Sequence, residues 1–535
     1  MRCLFLYIFL TLGATSLSAQ TNWLWAKSGG GKGNDQALSI AADSAGNVYA
    51  AGYYTDSAVF NDTVVHAAKG TKFFLAKYSP SGSLLWLKTS IAKGQSEAVS
   101  VCLSQNTYLY LTGYFSDSLV FTTDTLFSSG NAQNFFLAKF DLAGNEIWGK
   151  SAAASGGDNR KAVSSDEAGN AYVCGSFSGS AKFGATQLTS LGNSEDIFIA
   201  KFSPGGAITW AKQIGATADD AAFGIAASSS GNFVMTGLFA STVDFGGSQL
   251  TTSGTSDIFI AKYSADGNLL WARHSGDTSK GEGAGVALDK EENVYVTGTF
   301  SGIIPPDCDG SGNIYIAKYS AGGIKQWVKC MGAGSEETGN AIAADNAGNI
   351  FITGAYDEPI DFGTGQLSFD GIFDVFIVKL NSSGTAIWAD KAGGGGDDVG
   401  LGVAIDSSGN ILLAGKYTDT VYFGSTPLLN RGITDIFVTK IGAQSGVNNL
   451  YPPGRDFALY PNPAQNELNV SWSNEMSDEI TVELFSVIGV SVKKVFSQIS
   501  GKQIVSIPLE GIATGVYLCR ISEGGISVGR ILVRQ

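Results

Sequence analysis

The sequence predicts an all-β chain, a seven-bladed β-propeller followed by a small immunoglobulin-like β-sandwich. A repeat of about 61 residues carries the prediction: a tryptophan, a glycine 27 residues later, and a lysine nine residues before the next tryptophan. With 70 glycines and 15% charged residues, the composition also favours turns and strands. After Lys440 the repeat stops and an alternating apolar pattern follows, which fits a sandwich. The repeated tryptophans are Trp25, Trp86, Trp148, Trp210, Trp271, Trp327 and Trp388.

Each repeat contains four short strand signals. In the fourth copy they span 222–227, 232–239, 257–263 and 268–272, each rich in β-branched or aromatic residues and bounded by turn residues. The turns between them are short, so antiparallel meanders follow. Four-stranded meanders repeated seven times are the blade pattern of a propeller.

The two ends of the repeat region favour a closed ring over the alternative, a linear β-solenoid. The last copy ends at 435–441 without its tryptophan strand, and the chain begins with an isolated one at 22–27. If that first strand completes the seventh blade, no sheet edge stays unpaired. A solenoid does not need this permutation.

Four segments are predicted along the chain. Residues 1–19, with Arg2 and the apolar run 3–12, have the layout of a secretory signal peptide. Residues 20–443 form the propeller, 444–456 a linker and 457–535 the C-terminal domain. No later segment reaches the roughly 18 apolar residues needed to span a bilayer. The net charge of −14 argues against binding nucleic acid or an anionic membrane surface.

The repeats resemble a known family. Units such as Gly-Asn-Phe-Val-Met-Thr-Gly at 231–237, followed by Asp-Ile-Phe-Ile-Ala-Lys at 257–262, look like the secreted bacterial β-propeller repeat called SBBP. The resemblance covers roughly residues 21–443. It implies a fold and little about activity.

The C-terminal domain is similar to the type A sorting domain of the type IX secretion system of the Bacteroidetes. The resemblance implies handling by the type IX machinery, passage through the periplasm, and a secreted or cell-surface location. Removal of the domain and attachment to surface lipopolysaccharide are often part of that route. The matching residues are Tyr460, Pro461, Asn462, Pro463, Gly515, Tyr517, Arg530 and Arg534.

Few residues suggest chemistry. Asp307, Asp309 and Ser311 fit the first half of a calcium loop, but Lys318 stands where its bidentate glutamate would be. The two histidines, His66 and His274, lie far apart in sequence without a nucleophile motif, and both are predicted in solvent-facing loops. We therefore predict no catalytic residues and no cofactor, with calcium as the remaining candidate.

The fifth repeat is the irregular one. It has lost the extra hairpin that the other six carry between the glycine and the lysine, and it contains Cys308 and Cys330. These are the only two cysteines in one unit, and export through an oxidising periplasm permits a disulfide between them.

Residues that recur in every blade are interpreted as structural. The recurring lysines and aspartates are expected to pair or to cap turns, and adjacent acids such as Asp219-Asp220 to be solvated. The segments between glycine and lysine vary, and any partner is expected to bind there.

The predicted function is a secreted or cell-surface, non-enzymatic binding module, a monomeric propeller for an extracellular protein or glycan. Two alternatives stay open. One is a polysaccharide-active enzyme that uses Glu336, Glu337, Asp397 and Asp398. The other is a structural component of the envelope.

Overall fold

A computed structural model describes residues 22–534 except for 129–132, 156–160, 193, 253, 276–279, 302–312, 333–335, 444–456, 461–463, 473–479, 487–490, 498–503 and 524–525. The chain divides into two compact units, one of Thr21–Ala443 and one that contains Gln444–Gln535. Within the described residues both are built of strands, and neither contains a helix.

The first unit contains seven antiparallel four-stranded sheets in its described part. From the innermost strand outward, the first three blades are Gln36–Ala42, Val48–Phe60, Thr63–Tyr78, Leu84–Thr89; Ser96–Ser104, Tyr108–Phe115, Asn134–Asp141, Glu146–Ser155; and Lys161–Ser165, Ala171–Phe183, Glu195–Phe202, Ile208–Ile214.

The remaining four blades follow the same order. They are Ala221–Ala227, Phe233–Phe239, Asp257–Tyr263, Leu269–His274; Lys280–Leu288, Val294–Ser301, Ile314–Tyr319, Lys325–Met331; Thr338–Ala344, Ile350–Tyr356, Asp374–Leu380, Ala386–Gly394; and Val399–Ile405, Ile411–Tyr417, Asp435–Ile441, Trp23–Gly31.

Short additional strands lie between the second and third strands of most blades, or follow the outermost strand of the first. They are Ile91–Ala92, Ser118–Val120, Thr125–Phe127, Thr186–Thr189, Thr242–Asp244, Gln249–Thr251, Ile360–Asp361, Gln366–Leu367, Val421–Phe423 and Thr426–Leu428.

The blades form a closed ring. The innermost strand of each blade contacts the innermost strands of its two neighbours, including blade seven against blade one. All seven innermost strands line a central channel. The predicted propeller fold is therefore confirmed.

The N-terminal strand supplies the outermost strand of the last blade. Trp23–Gly31 pairs antiparallel with Asp435–Ile441 and places Trp25 opposite Lys440. The two halves of the seventh blade thus come from the two ends of the repeat region. This pairing gives the strand Asp435–Ile441 a partner on both sides.

The lysine and tryptophan of the repeat converge on one acceptor. Lys77 and Trp86 are register partners in blade one. The Lys77 Nζ atom and the Trp86 Nε1 atom both donate to the carbonyl oxygen of Leu142, at 3.0 and 3.3 Å. That carbonyl lies in the turn before the outermost strand of blade two. The same arrangement recurs for Lys139 and Trp148 on Pro204, Lys201 and Trp210 on Ala265, Lys262 and Trp271 on Ala321, and Lys318 and Trp327 on Ser382.

Two glycines explain the fixed spacing of the repeat. Gly144, in the turn that receives Trp86, has a φ of +82°, and a Cβ there would lie 3.1 Å from the indole ring. Gly113, 27 residues after Trp86, packs on the backbone carbonyl of Glu97, where the innermost strand has a bulge. A side chain at either position would push a strand or turn out of place.

The extra hairpins of four blades fasten each of them to the blade before it. Residues 29–31 of the outermost strand of blade seven pair with 58–60 in the hairpin of blade one, and blades two, three and seven repeat this contact. A phenylalanine in each of six hairpins packs on a phenylalanine of the third strand, with ring centroids 4.9–6.2 Å apart. In blade five the third-strand residue is Tyr315, whose hydroxyl group instead bonds that of Tyr319 at 3.3 Å.

The C-terminal unit contains two antiparallel sheets in its described part. One has Phe457–Tyr460, Glu467–Trp472 and Ile504–Pro508, and the other has Ser491–Ser497, Ile480–Ser486, Gly515–Glu523 and Ile526–Arg534. Apolar residues of both sheets, such as Leu468 and Leu484, share one buried core. This is the arrangement of a small sandwich.

Loss of the N-terminal strand should open the ring. Deleting residues 21–28 would leave the outer side of the strand Asp435–Ile441 unpaired and remove Trp25, whose Nε1 atom donates to the Pro80 carbonyl of blade one at 3.0 Å. We expect the free energy of unfolding to fall by several kcal/mol, about the cost of a lost core tryptophan or more. The milder Trp25→Phe variant should lose about 1 kcal/mol, since only the hydrogen bond is removed. Thermal unfolding of both variants checks this, and an unchanged midpoint for the deletion would contradict the closed ring.

Candidate functional site

The repeat breaks at one end of the central channel. There, the residue at the start of each innermost strand lies opposite a residue of the second strand, and the pair differs from blade to blade. We call this end the channel mouth. In six blades its pairs are Gln36 and Tyr53, Glu97 and Tyr114, Ala221 and Leu238, Glu282 and Thr299, Thr338 and Ala355, and Val399 and Lys416.

The channel itself has a volume of about 480 Å³. Its wall is made largely of small or aliphatic residues, such as Ala162, Gly224 and Val286, because seven innermost strands converge there. Tyr53, Glu97 and Lys161 lie near the mouth, and Ser39, Ser100 and Asn340 add polar groups along the wall.

A second cavity widens the mouth over blades five to seven. It has a volume of about 620 Å³ and shares Ala284, Asn340 and Leu401 with the channel, so the two spaces adjoin. Phe300 and Phe373 supply apolar surface. Charged residues of both signs line it, including Lys280 with Glu282 at 3.1 Å and Lys416 with Asp397 at 2.8 Å.

Blades one to three place an acid, two phenols and an amine on the other side of the mouth. Burial raises the pKa of Glu97, and hydrogen bonds from the Tyr114 and Thr71 side chains partly oppose the shift. Burial, and then the charge of Glu97, raise the pKa of Tyr53 well above its usual range. The Lys161 side chain is 6% exposed, and its Nζ atom lies 5.9 Å from the Tyr114 ring centroid. This group of side chains can both donate and accept hydrogen bonds.

The recurring acids of the turns have the structural role that the sequence predicts. Asp43 accepts hydrogen bonds from the backbone and side-chain nitrogens of Asn47 at 2.8 and 2.7 Å, and from the Tyr49 hydroxyl group at 2.9 Å. Asp35 caps backbone amides of Gly31 and Thr55 at 2.7 and 2.8 Å. Asp43 and Asp35 therefore hold turns in place. Because their carboxylate oxygens accept these hydrogen bonds, they do not face a ligand cavity.

The prediction that acids adjacent in sequence are solvated is wrong for the second acid of each such pair. Asp220, Glu337 and Asp398 have no exposed surface. The chain turns inward at these positions, and Asp220, for example, caps the backbone amides of Ala216 and Ala240 at 2.8 and 2.9 Å. Sequence neighbours on opposite sides of an irregular connection do not share an environment.

The histidines also differ from their predicted place in loops. His66 lies exposed on the long third strand of blade one, and His274 ends the outermost strand of blade four. The His274 Nδ1 atom lies 3.2 Å from Oδ2 of the buried Asp257, and its ring stands edge-on to Phe239. The contact with Asp257 is an interaction between neighbouring strands, without a nucleophile.

Several predicted residues lie outside the described part of the chain. These are the calcium candidates Asp307, Asp309 and Ser311, the signal peptide, and Pro461, Asn462 and Pro463 of the sorting motif. Cys330 is disulfide-bonded. Its predicted partner Cys308 is not among the described residues, so the pairing stays a prediction. Within the sorting domain, Tyr460 lies on Phe457–Tyr460, Gly515 and Tyr517 on Gly515–Glu523, and Arg530 and Arg534 on Ile526–Arg534.

Among the described residues, no group of three or more histidine, cysteine or acidic side chains is placed to hold a metal ion. No helix there is long and apolar enough to cross a membrane.

The fastening role of the hairpins was not predicted. Their varied sequences suggested binding loops, yet Ala58 and Phe60 are fully buried and pack with residues of blade seven such as Ile436. The recurring phenylalanine was the available signal. The exposed tips, where Phe127 and Leu429 are 71% and 66% exposed, remain open to a partner.

Comparison with curated proteins gives distant relatives. A WD repeat-containing protein of Acanthamoeba polyphaga mimivirus is 24% identical over 511 residues, which cover 75% of this chain and 36% of the relative. The regulatory protein FlaEY of Caulobacter vibrioides is 24% identical over 213 residues, 37% of this chain and 22% of that protein. The chain thus spans only about a third or less of these relatives.

Solved structures with some similarity include two enzymes or enzyme-like proteins. A gluconolactonase from Xanthomonas campestris covers 62% of this chain and 90% of its own, with 10% identity and a TM-score of 0.28. A quinoprotein alcohol dehydrogenase-like protein from Bacteroides thetaiotaomicron covers 76% of this chain and 97% of its own, with 10% identity and a TM-score of 0.29.

The C-terminal unit has a clear family match. Residues 458–534 match the secretion system C-terminal sorting domain. They include all the motif positions named above, from Tyr460 to Arg534. The chain therefore carries a C-terminal sorting domain of this family, which indicates export by the type IX secretion system to the cell surface or the extracellular space.

Proposed function

We propose that the propeller is a non-enzymatic binding module of the cell surface or extracellular space that takes its ligand at the channel mouth. One observation carries the proposal. The contacts that build a blade recur around the ring, whereas the residue pairs at the mouth differ in every described blade. A single ligand needs such a break in symmetry, and a framework contact does not.

The chemistry of the mouth fits a polar ligand that is neutral or carries positive charge. Lys161, Lys280 and Lys416 lie near Glu97, Glu282 and Asp397. Glu336 and Glu337 also line the second cavity, so acids outnumber amines there. Tyr53 and Phe373 supply aromatic faces beside these hydrogen-bonding groups. Concave sites with apolar walls and a few polar groups bind glycans or inserted protein segments. The hairpin tips surround the mouth, because the connections between second and third strands lie at the same end of the ring.

A second candidate is a polysaccharide-active enzyme. Three of its predicted acids, Glu336, Glu337 and Asp397, line the second cavity together, whereas Asp398 is fully buried. Burial also raises the pKa of Glu97 at the channel mouth, which would suit a proton donor. Release of reducing ends from surface polysaccharide by the native protein and not by Glu97→Gln would support this candidate. Equal binding without turnover by both proteins supports the binding module.

Variants at the mouth should lose ligand binding and keep the fold. Tyr53→Ala combined with Lys416→Ala removes an aromatic face and a cation from blades one and seven, which adjoin at the mouth. We expect binding of the labelled exported protein to intact producing cells, or to a panel of their surface glycans, to weaken about tenfold or more. Thermal unfolding should shift little, since both residues lie outside the repeated framework.

A control on the opposite end sharpens this test. Glu291 is 58% exposed in the turn between the innermost and second strands of blade five. Glu291→Ala should bind like the native protein. Retained binding by the mouth variant, or equal loss in the control, would contradict a ligand site at the mouth. Loss of binding only after replacement of the hairpin tips would place the site there.

Removal of the sorting domain should separate folding from export. The propeller forms its own compact unit, Thr21–Ala443, so a chain that ends at residue 456 should still fold. We expect this truncated protein to accumulate in the periplasm with a native-like circular dichroism spectrum. Its appearance in the medium at the native level would show that export does not depend on residues 457–535.

A further inference from the structure

Six buried carboxyl groups form three pairs across blade junctions. Asp435 lies next to Asp35 between the last and first blades, Asp196 next to Asp220 between the third and fourth, and Asp374 next to Asp398 between the sixth and seventh. All six side chains have no exposed surface. Two buried charges of the same sign, side by side, repel each other strongly in a low dielectric.

The first member of each pair has an oxygen atom without a hydrogen-bond donor. Oδ1 of Asp435, Asp196 and Asp374 has no partner, while Oδ2 of Asp435 accepts the Arg431 amide at 3.0 Å. In the third pair, Oδ2 of Asp398 also lacks a partner. A buried carboxylate oxygen without a donor is costly, and the same atom is left without one three times.

At the ring closure the oxygen without a donor faces the partner acid over a glycine. A Cβ on Gly30 would overlap Oδ1 of Asp435 and would lie 3.0 Å from Oδ2 of Asp35, so the two acids fill the space that a side chain would occupy. Gly215 and Gly393, also five residues after a repeat tryptophan, border the first acids of the other pairs, Asp196 and Asp374. There the amide of the second acid donates to the carbonyl of the residue before the first acid, at 2.8 and 2.9 Å. This leaves little room for a calcium ion with its six to eight oxygen ligands.

We propose that each pair shares one proton, held between the oxygen of one acid that lacks a donor and an oxygen of the other, and that these protons fasten the blade junctions. In this state one member is a neutral carboxylic acid that donates to the carboxylate of the other. Loss of the proton to solvent leaves two negative charges and weakens the junction. The ring is then tighter at acidic than at alkaline pH.

The groups around each pair modulate this effect. Asp56 and Arg431 face the Asp435 and Asp35 pair, and the Tyr417 hydroxyl group hydrogen-bonds Asp435. Asp219 and the Gln213 amide face the second pair. Asp370, Asp397 and Lys391 face the third, where Lys391 Nζ lies 2.8 Å from Oδ2 of Asp374. The second pair has no positively charged group among its described contacts and should depend most on the proton.

The direction of the pH effect follows from the raised pKa values of the paired acids. Burial, and then the charge of Asp35, raise the pKa of Asp435 to about 7, and burial raises the pKa of Asp35 to about 6. In the unfolded chain both acids ionise near their ordinary value of 3.8. The unfolded state therefore releases protons first. The stabilising contribution is complete below about pH 4, falls as pH rises toward 7, and is lost above it.

The chain itself suggests the matching substitution. At the position equivalent to Asp435, five residues before the repeat lysine, blades two and five carry Asn134 and Asn313. An amide donates a hydrogen bond from its NH₂ group without holding an extra proton. Asp435→Asn should therefore replace the shared proton by a permanent donor.

The test is chemical denaturation of the full chain at a series of pH values between 4 and 9. For each shared proton, the unfolding constant of the native protein should rise about tenfold per pH unit within the window. In Asp435→Asn the dependence of the unfolding constant on pH should be smaller by one such proton. This variant should also be more stable than the native protein at pH 8.5. Asp220→Asn should do the same for the second pair, which covers the case in which the closure variant does not fold.

A control and a gain-of-effect variant make the result specific. Asp244 is exposed and caps the amides of Gly246 and Gly247, which lower its pKa, so Asp244→Asn should run parallel to the native profile above pH 5. Asn313→Asp should add pH dependence at the junction of blades five and six. Parallel profiles for the native protein, Asp435→Asn and Asp220→Asn would overturn the proposal. So would a large loss of stability on chelation or a gain with calcium, since the pairs would then hold a cation.

Discussion

Five of the seven blade junctions depend on one backbone carbonyl each. At each of these junctions a lysine and a tryptophan of one blade donate to the same carbonyl oxygen in a turn of the next. That oxygen has two lone pairs, so both donors can be satisfied at once. The lysine chain is also covered by aromatic rings, as for Lys139 over Tyr110. The repeat length, the nine-residue spacing and the turn glycine all follow from placing these three groups together.

The sequence predicts well those parts of the fold that depend on its repeat period. The strands of the fourth blade, Ala221–Ala227, Phe233–Phe239, Asp257–Tyr263 and Leu269–His274, begin and end within two residues of their predicted bounds. The tryptophan at the chain start predicts the pairing of Trp23–Gly31 with the last blade, because each half lacks what the other supplies. Contacts between blades were harder to predict. Two acids such as Asp35 and Asp435, separated by most of the propeller sequence, carry no local sign that they meet. The hairpins likewise look like variable loops until their pairing with the preceding blade is known.

The difference between the repeated contacts of the blades and the variable residues of the channel mouth also locates the candidate site. The framework residues satisfy one another, as Asp43 does with Asn47 and Tyr49, and leave no donor or acceptor for a ligand. The mouth residues have no such repeated partner set, and they border about 480 and 620 Å³ of open space. A sorting domain at the C-terminal end directs this scaffold out of the cell. A stable ring whose mouth can vary without disturbing its junctions suits the ligand binding proposed above.

A double-mutant cycle on one junction tests the central claim about the shared carbonyl. Lys139 and Trp148 donate to the Pro204 oxygen at 3.0 and 3.1 Å. The cycle uses Lys139→Met and Trp148→Phe, which keep most of the apolar bulk. Each single variant leaves the carbonyl with one donor, whereas the double variant leaves it with none. The account predicts that the double variant loses about 1 kcal/mol more free energy of unfolding than the sum of the two single losses. Additive losses would show that the two donors act independently and would contradict the shared acceptor as the basis of the junction.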